Sequence, residues 1–302
     1  MDVMKNQKRA AVLFAALIVI GAIVCAISGG LRTGTAYTGG TLITVSVKAD
    51  YDMKVVESAL RENGAANAQV QRAGNQRNLA EIRLQESGDA AALAAKLEQS
   101  IAKTYAGAKV SSTKAITAAY SGTLFVSLLV PALAACVVAF VYAWARYGVQ
   151  AGISAAVTVC GTLLALLAIM GITRIVISPA FISAWLLVAG WAVYGIYVLY
   201  ERIWDGYLGD PQAEKRRGAI VNASVMANLP HMLAVAAGLT LVLCALAVFG
   251  GAGLLGFAVP GIIGLVAGSV LLIFFAAPLW ATLQMNAAPA KTPRKKTNKK
   301  KK

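Results

Sequence analysis

Residues 232–282 read MLAVAAGLTLVLCALAVFGGAGLLGFAVPGIIGLVAGSVLLIFFAAPLWAT. They sit inside a longer stretch, 218–290, that contains no Asp, Glu, Lys or Arg. A helix needs about 20 apolar residues to cross a hydrocarbon core. The stretch therefore holds two spans, parted around Gly250-Gly251. Working outward, charge-free windows recur at 10–31, 115–145, 147–173 and 175–200, each long enough for one span. Six transmembrane helices are predicted: Ala10 to Ile27, Leu124 to Ala145, Ala151 to Gly171, Pro179 to Tyr200, Met232 to Phe249, and Leu254 to about Thr282. Pro260 and Pro278 predict tilt or a kink in the last. Composition agrees: 58% of residues are hydrophobic and 14% charged, and mean hydropathy is +0.67. A soluble domain carries about 25% charge, so a soluble or disordered chain is excluded.

The charges that remain are unevenly placed. Lys and Arg collect at the N-terminus (Lys5, Lys8, Arg9), at Arg146, at Arg202 and Lys215 to Arg217, and in a tail ending Lys295, Lys296, Lys299, Lys300, Lys301 and Lys302. The opposite short loops hold Arg174 alone. Positively charged loops stay inside, so both termini are expected in the cytoplasm and residues 31–117 outside. The first segment has a basic start but a long apolar run, and Val24 makes a poor lipoprotein cleavage site. It reads as an uncleaved anchor. The tail is expected at anionic lipid. No aromatic interrupts its cations to stack on bases, so no specific nucleic acid is expected, with ribosomal RNA the weaker alternative. Cys25, Cys136, Cys160 and Cys244 all lie in apolar windows without metal-ligand spacing, and read as free thiols.

The outer segment alternates short elements. Thr41 to Val47 has period two and reads as a strand. Asp52 caps a helix with Val55, Val56, Ala59 and Leu60 on one face, ending at Asn63-Gly64. Ala68 to Arg72 and Asn78 to Leu84 read as strands around a Gly74-Asn75 turn. Asp89 to Tyr105 forms a helix with Leu93, Leu97 and Ile101 on one face, and Lys109 to Thr117 a last strand. The order is βαββαβ, the ferredoxin-like arrangement. The fold class is thus an α-helical polytopic membrane protein with an α+β ferredoxin-like outer domain. Its boundaries are 1–30 for the anchor, 31–118 for the outer domain, 119–285 for five further helices, and 286–302 for the tail.

Chemistry is sparse. The outer segment has neither His nor Cys, and its acids interleave with basic residues. No Gly-rich phosphate loop with Lys is present. No catalytic, cofactor or metal site is expected, and the chain is not expected to be an enzyme. The spans as bounded above contain no Asp, Glu, Lys, Arg or His. His231 falls just before the fifth and reads as interfacial. Glu201 and Arg202 fall just past the fourth and read as an interfacial pair.

The order of several motifs resembles the SecD/SecF protein-export family, its SecF branch in particular. Gly34-Thr35-Ala36-Tyr37-Thr38-Gly39-Gly40-Thr41 resembles the family's G-x-D-F-T-G-G-T after span one. Gly190 to Ile203, with Tyr194, Gly195, Glu201 and Arg202, is similar to its G-Y-S-x-N-D-T-x-V-x-F-D-R-I. Gly250, Gly251, Gly256, Phe257, Gly264, Gly268 and Pro278 follow the spacing of its C-terminal signature. The resemblance implies a multi-pass protein of the bacterial cytoplasmic membrane. It also implies a SecD-like partner, a SecYEG channel with SecA nearby, and an unfolded preprotein pulled outward by the proton gradient. Departures bear on that last point. Gly195 stands at the family's intramembrane Asp, Tyr194 at its Asn, Val159-Cys160 at a His-Asp pair, and Ala36 at the Asp of the first motif, while Glu201 keeps an acid. An auxiliary subunit that conducts no protons itself is expected, with Gly190 and Gly195 packing against partner helices. Two other readings are a small-molecule or lipid exporter of the resistance-nodulation-division type and a non-cycling assembly scaffold.

Overall fold

A computed structural model describes residues 3–286 except 48–50, 66–67, 74–77, 85–89, 106, 117, 119, 121, 210–211, 214 and 251. Among these residues, six helices are long and apolar enough to cross a membrane: Asn6–Ile27, Leu124–Tyr147, Val149–Thr173, Ala180–Leu208, Arg217–Phe249 and Gly253–Gln284. The protein is a multi-pass membrane protein. The tail lysines, Gly251, the Gly74-Asn75 turn and Asp89 lie outside the described residues.

The outer domain follows the predicted order. Strand β1 (Gly40–Ser46) buries alternate residues, Ile43 and Val45 completely. Helix α3 (Met53–Glu62) follows a short turn, α2 (Thr35–Thr38), in chain order. Asp52 caps α3 by accepting from the Lys54 amide at 3.1 Å. Asn63 closes it by donating to the Ala59 carbonyl at 2.8 Å, and Gly64 leaves at φ +77°. Strands β2 (Gln69–Ala73) and β3 (Leu79–Leu84), helix α4 (Ala90–Ala102) and strand β4 (Lys109–Ile116) complete the domain. The sheet order is β2-β3-β1-β4, antiparallel throughout. β3 thus splits the parallel pair β1 and β2, as the ferredoxin-like arrangement requires. Val56 and Leu60 of α3 and Leu97 and Ile101 of α4 meet Ile43, Val45 and Ile82 in one apolar core.

The spanning helices are α1 (Val3–Ile27), α5 (Leu124–Tyr147), α6 (Val149–Thr173), α7 (Ala180–Gly209) and α8 (Arg217–Phe249), then α9 (Ala252–Leu271) continued by α10 (Ala277–Asn286). Burial separates them. In their most apolar stretch about half the residues of α6, α7 and α9–α10 are buried (56%, 50% and 56%), against 6%, 11% and 11% for α1, α5 and α8. The first three form the centre, and the others present apolar faces outward. One end of the bundle carries the sheet (the domain end) and the other the α7–α8 loop (the loop end).

The last span runs through Pro260 within α9 and changes its winding just before Pro278. A π-helical turn, Leu272–Ala276, precedes Pro278. Proline has no amide to donate, and such wide turns accommodate the break. The carbonyl of Ala276 accepts from the Ser154 hydroxyl at 3.0 Å, and Tyr200 donates to Ser154 at 2.7 Å.

Two devices mount the outer domain. The segment before α2 pairs with the α6–α7 loop: Gly34 donates to the Ile177 carbonyl at 2.8 Å, and Ile177 donates to that of Arg32 at 2.8 Å. Arg174, in left-handed conformation at φ 55°, donates to the Gly30 carbonyl at 2.7 Å and to that of Ser28 at 3.3 Å. Arg174, the lone cation of the short loops at the domain end, thus closes the carbonyl end of α1, where a positive charge is favourable.

Candidate functional site

The first motif is structural. Gly39 (φ +75°) and Gly40 (φ +151°) turn the chain from α2 into β1, and a side chain on Gly39 would meet the Ile116 carbonyl. Thr38 Oγ1 donates back to the Gly34 carbonyl at 3.4 Å. Tyr37 is buried and stacks 6.0 Å from Tyr120, whose amide donates to the Ala36 carbonyl at 3.0 Å. Burial pushes the Tyr37 hydroxyl pKa upward, and Tyr120 adds to it.

The C-terminal glycines seat α9. Gly264 lies against Val188 of α7, Gly268 against Thr162 of α6 and Trp191 of α7, and Gly256 against Ser178. Phe257 packs on the central core, Gly250 closes α8, and Pro278 follows the π turn. Trp191 donates to Ser269 at 3.2 Å and fixes the α7–α9 register. Gly195 belongs to this same interior: Leu272 of the π turn fills the space its side chain would need. It therefore packs within the chain, not against a partner helix as the sequence led us to expect. Gly190 is different. It has open space beside it and borders a groove of about 610 Å³ between α5 and α7, lined by Pro131, Ala134, Val138 and Tyr194 among others. A second groove, of about 650 Å³, separates Val70 and Arg83 of the sheet from Pro179 and Gly253 at the helix ends.

Glu201 does not pair with its neighbour Arg202. It lies within α7 and accepts from Arg146 Nε at 3.2 Å, from a second nitrogen of the same guanidinium, and from the Tyr147 hydroxyl at 2.8 Å, all from the end of α5. One residue on, the helix has turned by 100°, so Arg202 is exposed, and its carbonyl accepts from Ser224 of α8 at 3.3 Å. Beside the ion pair, Tyr147, Tyr200, Trp204, Tyr207 and Trp280 pack their rings together; Tyr200 and Trp280 lie 4.6 Å apart. This cluster binds α5, α7 and α10 at the loop end.

Helix α8 begins at Arg217 and so extends well before His231, which the sequence places at the start of the apolar stretch. Pro230 lies inside α8; in a membrane helix a proline is tolerated because neighbouring groups satisfy the freed carbonyl. His231 Nε2 lies 3.0 Å from the hydroxyl of Tyr194 of α7. Residues 218–231 are as free of charge as the stretch after them. Val159 is buried and Cys160 exposed on α6. Among the described residues no group of three His, Cys, Asp or Glu could hold a metal ion.

Fold and site together define a class: a six-span helical membrane protein with a βαββαβ domain after its first span and glycine-seated central helices. Residues 96–286 match the family of protein export membrane protein SecD/SecF, C-terminal region, and the chain belongs to that family. Among solved structures it is similar to SecDF in its super-membrane-facing form, at 19% identity and TM-score 0.68, over 93% of this chain and 38% of that one. It is equally similar to SecDF, a translocon-associated membrane protein, from Thermus thermophilus, at 19% identity and TM-score 0.68, over 92% of this chain. The chain thus spans 38% of the length of these structures. No curated protein matches it.

Proposed function

We propose that this chain is a SecF-like auxiliary subunit of the Sec preprotein translocase. It acts beside a SecD-like partner at a SecYEG channel served by SecA, and assists the outward passage of unfolded preprotein. The observation that carries this reading is the family match over 96–286, extended to the outer domain by a fold shared across 93% of the chain. The chain catalyses no covalent reaction and needs no cofactor. Its place is the bacterial cytoplasmic membrane with both termini inside, where the tail lysines meet anionic lipid. The family's carboxylate relay is not carried at Gly195, whose side-chain space is taken by Leu272. The test is a photocrosslinking amino acid in the outer domain, at Leu42 or Lys114, during export of a stalled preprotein. Adducts with the preprotein that need SecA and a SecD-like chain are expected. Normal export after deletion of the chain would overturn the reading.

A further inference from the structure

The groove beneath the sheet has two unlike walls. One is strand β3, whose side chains alternate between faces. Ala80, Ile82 and Leu84 enter the core shared with α3 and α4, so Arg83 falls on the opposite face and lines the groove. The other wall is Ile175 and Pro179 before α7, and Leu255 and Val259 of α9. The apolar spans of α7 and α9 begin at Ala180 and Gly253, so this wall stands where two membrane-crossing stretches start. Gly253 has open space beside it. An apolar recess at such a place meets lipid, with acyl chains toward the span and phosphates at its end. Arg83 is the cation of the groove, and it is poorly neutralised. Its Nε is buried without a hydrogen-bond partner, and the acid it pairs with, Glu81, stands 3.8 Å away, beyond hydrogen-bond reach. The side chain is 37% exposed, which leaves its terminal nitrogens open to a ligand. Among the described residues no carboxylate lines the groove. Ser178 Oγ, close against Gly256, also lacks a partner.

We propose that this groove binds an anionic phospholipid from the leaflet at the domain end, its phosphate on the Arg83 guanidinium and one acyl chain along Leu255 and Val259. A guanidinium suits a phosphate both in charge and in its paired, planar donors. The groove, of about 650 Å³, is of ligand-binding size and takes the headgroup and the upper part of a chain, with the remainder in the bilayer. An extended polypeptide is the rival occupant, because β2 is an edge strand and Val70 borders the groove. It fits less well. Its amides and carbonyls need partners, and the helix-end wall offers mainly apolar side chains. A lipid so held touches both the outer domain and the bundle, and steadies one against the other. Neither a partner chain nor a preprotein takes part, so the proposal and the export reading stand or fall separately.

The test uses the full chain in phosphatidylcholine nanodiscs containing a trace of phosphatidylglycerol with a photoreactive group high on one acyl chain. After illumination, peptide mass spectrometry should find the label concentrated at Pro179–Ala180 and Gly253–Val259. Unlabelled phosphatidylglycerol should displace it, and phosphatidylcholine of the same chains should do so at least about tenfold less well, the scale of one charge-assisted hydrogen bond. Arg83→Gln should abolish that preference and Arg83→Lys retain it in part. Val259→Trp, which fills the apolar wall and leaves the charge alone, should reduce labelling by either lipid; it serves if the glutamine variant does not fold. Label spread evenly over the outward faces of α1, α5 and α8 would overturn the proposal, as would equal competition by the two lipids. Displacement by free glycerophosphate as readily as by lipid would mean a phosphate site without a chain. Displacement by an unfolded preprotein, with phosphatidylglycerol ineffective, would give the groove to polypeptide; either result sinks the lipid site.

Discussion

Gly195 shows how one residue can report on function through the space it does not fill. A glycine where the family keeps an aspartate reads as loss of a charge. The structure adds that Leu272 has taken the room. Restoring the acid should therefore harm the fold. Gly195→Asp is expected to cost at least about 3 kcal/mol, from a carboxyl near the bilayer centre and from overpacking. The check is thermal denaturation in detergent, where Leu272→Ala should recover the steric share. Gly39→Ala is expected to cost about 1–2 kcal/mol, because its left-handed backbone disfavours a Cβ and the Ile116 carbonyl stands in the way. Loosened mounting of the outer domain should appear as faster amide exchange in β1. At this scale the sequence was legible where the partner is local. Asp52 and Asn63 act within a turn of where they stand. Glu201 was misread because its partner, Arg146, lies a whole helical hairpin away, and no periodicity links the two.

Helices were legible as elements wherever charge marks their ends. The outer domain followed from alternation in β1 and from the apolar faces of α3 and α4. The start of α8 did not, since no charge separates Gly218 from Met232. The π turn was foreshadowed by Pro278, but the hydroxyls that steady it come from α6 and α7. Ser154→Ala should remove the closer donor to the Ala276 carbonyl and a partner of Tyr200 together. A loss of about 1 kcal/mol is expected, read as a lower melting temperature, with the Tyr200 hydroxyl left only its longer bond to the Ala276 carbonyl at 3.4 Å. Helix α5 depends on its ends, being little buried elsewhere. Glu201→Gln is expected to weaken the grip of Arg146 and to raise proteolytic cleavage or amide exchange at the α5–α6 turn, with the centre of the bundle unchanged.

At the scale of the molecule, the arrangement of six similar spans was the part the sequence concealed. Every window is apolar all round, so composition alone does not say which helix sits inside. Small residues decide it: Gly264, Gly268 and Gly195 draw α6, α7 and α9 together, while α1, α5 and α8 face outward. The outer domain stands over this bundle with a groove beneath the sheet. If export requires the domain to move, bridging Val70 to Gly253 with engineered cysteines and a bifunctional reagent should arrest export and leave the chain in the membrane. Reduction of a cleavable bridge should restore it. Continued export with the bridge intact would argue for a static scaffold.

The seat of α1 has a consequence for biosynthesis. Gly21 lies against Ala168 and Gly171 against Cys25, so α1 has its docking surface on a helix made well after it. At about 5–20 residues per second, the nascent helix waits roughly seven to thirty seconds before its groove exists. Until its mate arrives, the small-residue face of this early hydrophobic segment is therefore left to lipid or to whatever holds it.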